Sequence, residues 1–286
     1  MPHLFCFGLG YTARVLASAL APRGWTVTGT SRSGEDGTIG FDGTRPIARS
    51  AFAGITHLLV SVPPGQDGDP VLNCHARDLH GLAPSLRWAG YLSTTGVYGD
   101  HGGDWVDENS PLAPTTARGE RRHAAETAWR SLGLPLHIFR LAGIYGPGRN
   151  QLVSLLKGTA KRIVKPGQIF SRVHVEDIAG VLQASIDKPQ AGQAYNVCDD
   201  EPCPPQDVVV FAAQLLQIPA PPEIAFDDAH LSPMAKSFYA ESKRVSNRRI
   251  KNELGYRLIY ATYREGLRVL AAQLQTGDVH GARPRQ

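Results

Sequence analysis

The six residues Gly8-Leu9-Gly10-Tyr11-Thr12-Ala13 constrain this chain more than any other stretch, because of what stands on either side of them. Leu4 to Phe7 form a short apolar run that ends in Gly8, the pattern of a buried parallel strand. After the G-x-G-x-x-A turn, Val15, Leu16, Ala19 and Leu20 recur on one helical face until Gly24 stops the helix. Trp25 to Thr30 read as a second strand, which completes strand, glycine turn, helix and strand. Gly8 permits the tight turn, Gly10 lets the backbone approach a pyrophosphate, and Ala13 lets the helix pack close to the strand. The helix N-terminus then presents free N–H groups to the phosphates. Glycines also mark ordinary turns, but between a buried strand and a helix this pattern points to dinucleotide binding through Gly8, Leu9, Gly10, Tyr11 and Thr12.

The end of the second strand bears on which dinucleotide. An acidic residue there would accept from the ribose 2′-hydroxyl of NAD. The sequence has Thr30-Ser31-Arg32 instead. Arg32 can hold a 2′-phosphate and Ser31 can donate to it, so NADP (NADPH) is expected ahead of NAD. The alternative for Arg32 is a solvated loop arginine.

Further along, Thr38–Asp42 reads as a short third strand. Asp42 stands where an acid could meet adenine, or could cap a turn. Ile55 to Val62 give a fourth strand running into Pro63-Pro64-Gly65, a stiff loop at the sheet edge where ligands bind. A helix over Asp69–Ala83, a strand over Trp88–Ser93, a helix over Ala117–Leu132 and a strand over Leu136–Leu141, ending at Ala142, follow. This alternation predicts an α/β doubly wound parallel sheet. A net charge of +4, with no lysine run interleaved with aromatics, does not indicate nucleic acid. No apolar run reaches membrane-spanning length, and the N-terminal apolar residues are already the first strand, not a signal peptide. Cys6, Cys74, Cys198 and Cys203 follow no metal or disulfide spacing and suit a reducing cytoplasm.

YLSTTGVYGD, HIFRLAGIYGPGRN, RVHVEDIAGVLQA, AYNVCDDEP and KRVSNRRIKNELGYRL together resemble the extended short-chain dehydrogenase/reductase superfamily of NAD-dependent epimerases and dehydratases. The resemblance runs nearly end to end and is closest to the atypical, sugar-nucleotide-epimerase-like branch. It implies a Rossmann domain from 1–147 and 171–197, with His174–Ile186 and Tyr195–Val197 returning to the sheet as helix and strand. It further implies a smaller C-terminal substrate lobe from 148–170 and 198–286. By itself that C-terminal part shows amphipathic helices over Gln206–Leu216 and Tyr263–Leu274 and a polar tail from Gly277. A homodimer through the helices after the fourth and fifth strands is expected by the same analogy.

In that superfamily a Ser or Thr hydroxyl orients the substrate, a Tyr transfers the proton, and a Lys lowers the phenol pKa and holds the nicotinamide ribose. Thr94 falls at the hydroxyl position, with Ser93 and Thr95 flanking it. Anchoring Y-x-x-x-K-x-x-x-E on Glu126 puts Arg118 at the Tyr position and Arg122 at the Lys position. Arg122 can keep the ribose contact, but a guanidinium cannot exchange a proton near neutrality. Tyr98 and Tyr145 read as packing residues, His174 as a weak candidate base, and Asp177 as a helix cap. Arg149 and Arg172, with Arg118, are candidates for an anionic group of a small-molecule substrate. The expected activity is NADP-dependent oxidoreduction or epimerisation of a sugar-nucleotide-like or other anionic substrate. The rival is a non-enzymatic NADPH-binding sensor.

Overall fold

The computed structural model describes residues 1–276; the expected polar tail from Gly277 lies outside the described residues. The first half contributes β1 (His3–Phe7), α1 (Tyr11–Leu20), β2 (Thr26–Ser31), β3 (Ile39–Gly40) and β4 (His57–Val60). It continues with α2 (Pro70–Leu82), β5 (Trp88–Thr94), β6 (Trp105–Val106), α3 (Ala117–Arg130) and β7 (Leu136–Leu141). Then come β8 (Gly143–Tyr145), α4 (Gln151–Leu156), β9 (Arg162–Val164), β10 (Arg172–His174), α5 (Val175–Asp187) and β11 (Ala194–Val197). The chain closes with α6 (Pro205–Leu215), β12 (Glu223–Ala225), α7 (Pro233–Phe238), β13 (Arg244–Val245), α8 (Arg248–Asn252) and α9 (Tyr263–Thr276).

Seven strands form one parallel sheet in the order β11-β7-β5-β4-β1-β2-β3. Alternation along β1 shows why it is central. Leu4 and Cys6 join the core that includes Leu16, Leu20 and Ile178 of α1 and α5. Phe5 and Phe7 point to the other face, with Val71 of α2 and Trp129 of α3. A strand apolar on both faces must be covered on both faces, and the helices supply the cover. The strand order reverses between β1 and β4, so a crevice opens beyond their carboxyl ends. The expected third strand is only two residues long, because Thr38 turns its hydroxyl inward to bond Glu35 O at 2.5 Å.

A third apolar cluster gathers Leu152 of α4, Val208 and Ala212 of α6, and Leu267 and Leu270 of α9. Short parallel pairs, β10 with β8, β12 with β9 and β13 with β6, lay the chain across the carboxyl edge of the main sheet. No helix of the described residues is long and apolar enough to cross a membrane.

Candidate active site

The glycine turn is built from two differently motivated glycines. Gly8 has φ +86°, and a Cβ there would stand 2.6 Å from Ser61 Oγ, so the protein itself demands glycine. Gly10 has φ −94°, and a Cβ there would meet nothing within 4 Å. Packing therefore does not explain Gly10, whereas a ligand drawn against the backbone does. No side chain caps the N-terminus of α1, for which Gly10 is the N-cap, which leaves its first amides directed at that same ligand position. These features fit a dinucleotide pyrophosphate. Val62 adjoins the turn, its Cγ2 3.1 Å from the Cβ position of Gly8, and Pro63 is exposed beyond it.

At the end of β2, Arg32 is exposed and has no partner among the described residues. The Ser31 hydroxyl is less available than the sequence suggested. It accepts from Gly34 N–H at 3.0 Å and lies 2.6 Å from Thr38 Oγ1, whose own proton goes to Glu35 O, so Ser31 donates to Thr38. Asp42 caps a turn: one carboxylate oxygen accepts from Thr44 N–H at 2.9 Å and Thr44 Oγ1 at 2.7 Å. Those bonds hold its pKa below the usual carboxylate value.

The carboxyl ends of β5 and β7 and the loops above them enclose a cavity of about 550 Å³. Gly10, Tyr11, Thr12, Thr94, Arg118, Arg122, Ala142, Arg149 and Arg172 all line it. Gly8, Leu9, Ser31, Arg32, Asp42, Val62 and Pro63 do not; they lie outside its lining. Three residues that sequence reasoning missed, Phe238, Glu241 and Lys243, also line it, brought in from α7 and the approach to β13. The only signal available was their place just before or, for Lys243, at the start of KRVSNRRIKNELGYRL, and charge alone did not single them out.

Helix α3 is set by a buried anchor. Glu126 accepts from Ser93 Oγ at 2.5 Å and from Arg140 Nε and Nη2 at 3.2 and 2.9 Å. Ser93 is thereby engaged, which leaves Thr94 and Thr95 as the hydroxyls at the cavity; Thr94 Oγ1 accepts from Gly96 N–H at 3.2 Å and keeps its proton for a ligand. One turn before Glu126, Arg122 Nη1 donates to Leu92 O at 2.8 Å and Tyr91 Oη at 3.1 Å. One turn earlier again, the Arg118 guanidinium stacks 4.1 Å from the Phe238 ring centroid. Partial desolvation by the surrounding walls lowers the Arg118 pKa, with Glu241 opposing that shift and Arg122 adding to it.

Tyr98 is fully buried: its hydroxyl donates to Asn196 Oδ1 at 2.7 Å and accepts from Arg140, and burial pushes its pKa up to about 12. Tyr145 is also buried, with its phenol pKa raised by burial. Both are walls. His174 does not line the cavity; it caps α5 by accepting from Glu176 N–H at 3.3 Å, and burial lowers its pKa to about 4. Asp177 is therefore not the cap. Its carboxylate, fully buried, accepts from Tyr256 Oη, Ile259 N–H and Tyr260 N–H at 2.9, 2.7 and 3.1 Å, clamping residues 256–260 onto α5. Arg149 is exposed at the cavity rim, while Arg172 Nη1 donates to Phe170 O at 3.1 Å and Cys203 Sγ at 3.2 Å.

No protein-family model matches the chain. A functionally unknown conserved protein from Silicibacter pomeroyi DSS is 53% identical, with a TM-score of 0.89 over 96% of this chain and 100% of that one, so the two belong to one family. Protein YeeZ of Escherichia coli K12 is 26% identical over 91% of this chain and 97% of its own. Two further solved structures share the fold at lower identity. Human epimerase family protein SDR39U1, solved with NADPH, has a TM-score of 0.74 at 17% identity over 95% of this chain and 99% of its own. MoeE5, solved with UDP-glucose and NAD, has a TM-score of 0.77 at 18% identity over 97% of this chain and 99% of its own. The chain thus belongs to one family with the Silicibacter pomeroyi protein, and its parallel sheet and glycine turn are those of the fold it shares with the NADPH- and NAD-bound structures.

Proposed function

We propose that this protein is an NADP-dependent oxidoreductase or epimerase acting on an anionic, sugar-nucleotide-like small molecule. One observation carries the reading. A single cavity runs from the glycine turn to Thr94 and is lined by Arg118, Arg122, Arg149 and Arg172, none of which forms an ion pair among the described residues. Four guanidiniums around one space, whose one lining carboxylate, Glu241, is already paired with Lys243, repel one another less once an anion enters. Phosphate and carboxylate groups fit their forked donors. The pyrophosphate of the cofactor is held by Gly10 and the amides of α1, and Arg32 recognises the 2′-phosphate. The bound nicotinamide supplies the hydride chemistry. Thr94 holds the reacting oxygen, and Arg122 keeps the positive charge that Lys supplies elsewhere in the superfamily. NADPH and UDP-glucose, the latter bound by MoeE5, are the natural first probes.

Fluorescence titration with NADPH and NADH tests the cofactor assignment. One charge-assisted contact to phosphate is worth about 1.5–3 kcal/mol, so NADPH should bind roughly ten- to a hundredfold more tightly. Arg32→Ala should remove that preference while leaving NADH affinity unchanged. Equal affinities in the parent protein, unaltered by Arg32→Ala, would sink the NADP assignment. Cofactor binding with no turnover of any sugar nucleotide favours the sensor instead.

A further inference from the structure

The Tyr position of the superfamily is occupied by Arg118, so the site needs another group that can exchange a proton. Apart from arginines, the titratable side chains lining the cavity are Tyr11, Glu241 and Lys243. Tyr11 is turned away: its hydroxyl donates to Pro147 O at 3.0 Å, and burial raises its pKa to about 12. Glu241 and Lys243 are both buried, and Lys243 Nζ donates to Glu241 Oε2 at 2.7 Å and to Gly99 O at 2.6 Å. Thr115 Oγ1 and Thr116 Oγ1, at 3.2 and 3.3 Å, donate to the other carboxylate oxygen. The carboxylate is thus fixed at both oxygens, and Oε2 retains accepting capacity on its cavity side. The decisive geometry is beside Gly96. A Cβ built there would lie 3.6 Å from Thr94 Oγ1 and 3.9 Å from Glu241 Oε2, so one small group in that space touches both.

We propose that Glu241 is the proton-exchanging residue of this site and that Lys243 is its positioning residue, an inference that rests on the NADP-dependent reading above. In the oxidative direction Thr94 holds the substrate hydroxyl. The carbinol C–H bond breaks with its electron pair passing to C4 of the oxidised nicotinamide, the O–H bond breaks with its proton passing to Glu241, and the carbonyl forms. The substrate is oxidised and the nicotinamide reduced. In the reverse direction the protonated carboxyl returns the proton to the carbonyl oxygen as hydride arrives on carbon. The charges facing Glu241 are Lys243 from its own segment and Arg118 from α3, with Arg122 one turn behind and Asp100, which accepts from Ser242 N–H at 2.7 Å, on the far side of Lys243.

The test follows NADP⁺ reduction at 340 nm with UDP-glucose across pH, in the full-length protein. Glu241→Gln should lose roughly a hundredfold or more in kcat, within the range of general acid–base catalysis, with unchanged NADPH affinity and melting temperature. Glu241→Asp should recover part of the rate. Lys243→Met should lower kcat at least tenfold while KM and melting temperature stay near the parent's, a split that a merely structural lysine would not produce. Turnover by Glu241→Gln within threefold of the parent, or a parental kcat in Lys243→Met, overturns the assignment and leaves the NADP-dependent reading standing. A parent protein that binds NADPH yet neither reduces NADP⁺ nor epimerises UDP-glucose overturns both. Should Glu241→Gln fail to fold, the rate of Glu241→Asp and the kcat of Lys243→Met decide.

Discussion

Substituting the two glycines of the turn separately should divide fold from ligand. Gly8→Ala forces a non-glycine residue to φ +86° and drives its Cβ to 2.6 Å from Ser61 Oγ and 3.1 Å from Val62 Cγ2. A residue held in a sparsely populated backbone region costs about 1–3 kcal/mol, which for a chain of this size lowers Tm by roughly 2–10 °C. Gly10→Val meets neither problem, since φ is −94° and nothing lies within 4 Å of the new Cβ. Its melting temperature should stay within about 2 °C of the parent, because the small gain from stiffening the unfolded chain offsets a slightly poorer N-cap. NADPH binding should nevertheless collapse. Losing even one charge-assisted contact from the α1 amides to pyrophosphate is worth about 1.5–3 kcal/mol, or roughly ten- to a hundredfold, and a branched side chain obstructs several. Differential scanning fluorimetry with and without NADPH, paired with cofactor titration, measures both quantities. A folded Gly10→Val protein that binds NADPH with parental affinity would refute the reasoning, because the open side of Gly10 would then not be where the cofactor backs onto the chain.

Two further outcomes are expected. Arg118→Tyr with Arg122→Lys, which restores the superfamily residues, should weaken competitive inhibition by inorganic pyrophosphate at least tenfold and gain NADPH-dependent reduction of generic carbonyl compounds; no change in either would show that α3 does not present these positions to substrate. Asp199→Asn should raise Tm at pH 8–9 and lose that advantage towards pH 4. The buried carboxyl of Asp199 has its pKa raised from 3.8 to about 8, so its protonated form favours the fold and that contribution fades as pH rises through this window; a Tm difference independent of pH would exclude the effect.

The parts legible in the sequence are those whose cause is local. β1, the glycine turn and α1 declare themselves through apolar periodicity and through glycines that only certain backbone shapes require. Glu126 anchored the expected register of α3 only through the resemblance's Y-x-x-x-K-x-x-x-E pattern; that it is buried against Arg140 on β7 is visible only in the fold. What stayed hidden depends on chain segments distant in sequence. Ser31 looks like a free donor until Thr38 is seen 2.6 Å away. Asp177 looks like a cap because it opens a helix, whereas its acceptors serve residues 256–260, about 80 positions later. Glu241 and Lys243 enter the cavity only because β13 pairs with β6 and draws its approach over the sheet edge.

The same anchoring explains how α3 can carry two arginines at the cavity without losing its place. Breaking one partner of a buried ion pair costs about 3–5 kcal/mol, because the other charge remains buried and uncompensated. Glu126 and Arg140 are 2% and 3% exposed, and Ser93 and Tyr98 complete their hydrogen bonding, so the last turns of α3 cannot rotate without that penalty. Residues one and two turns before Glu126 then face β5 and the cavity by helical geometry alone, whatever their identity. Position 122 reaches the carbonyl of Leu92, and position 118 reaches Phe238 beside Glu241. The scaffold therefore fixes where the two side chains act and leaves open which chemistry they bring. With arginine at both positions it brings charge and forked donors, which suit anion binding, beside the Glu241 carboxylate that Thr115 and Thr116 hold at the start of the same helix.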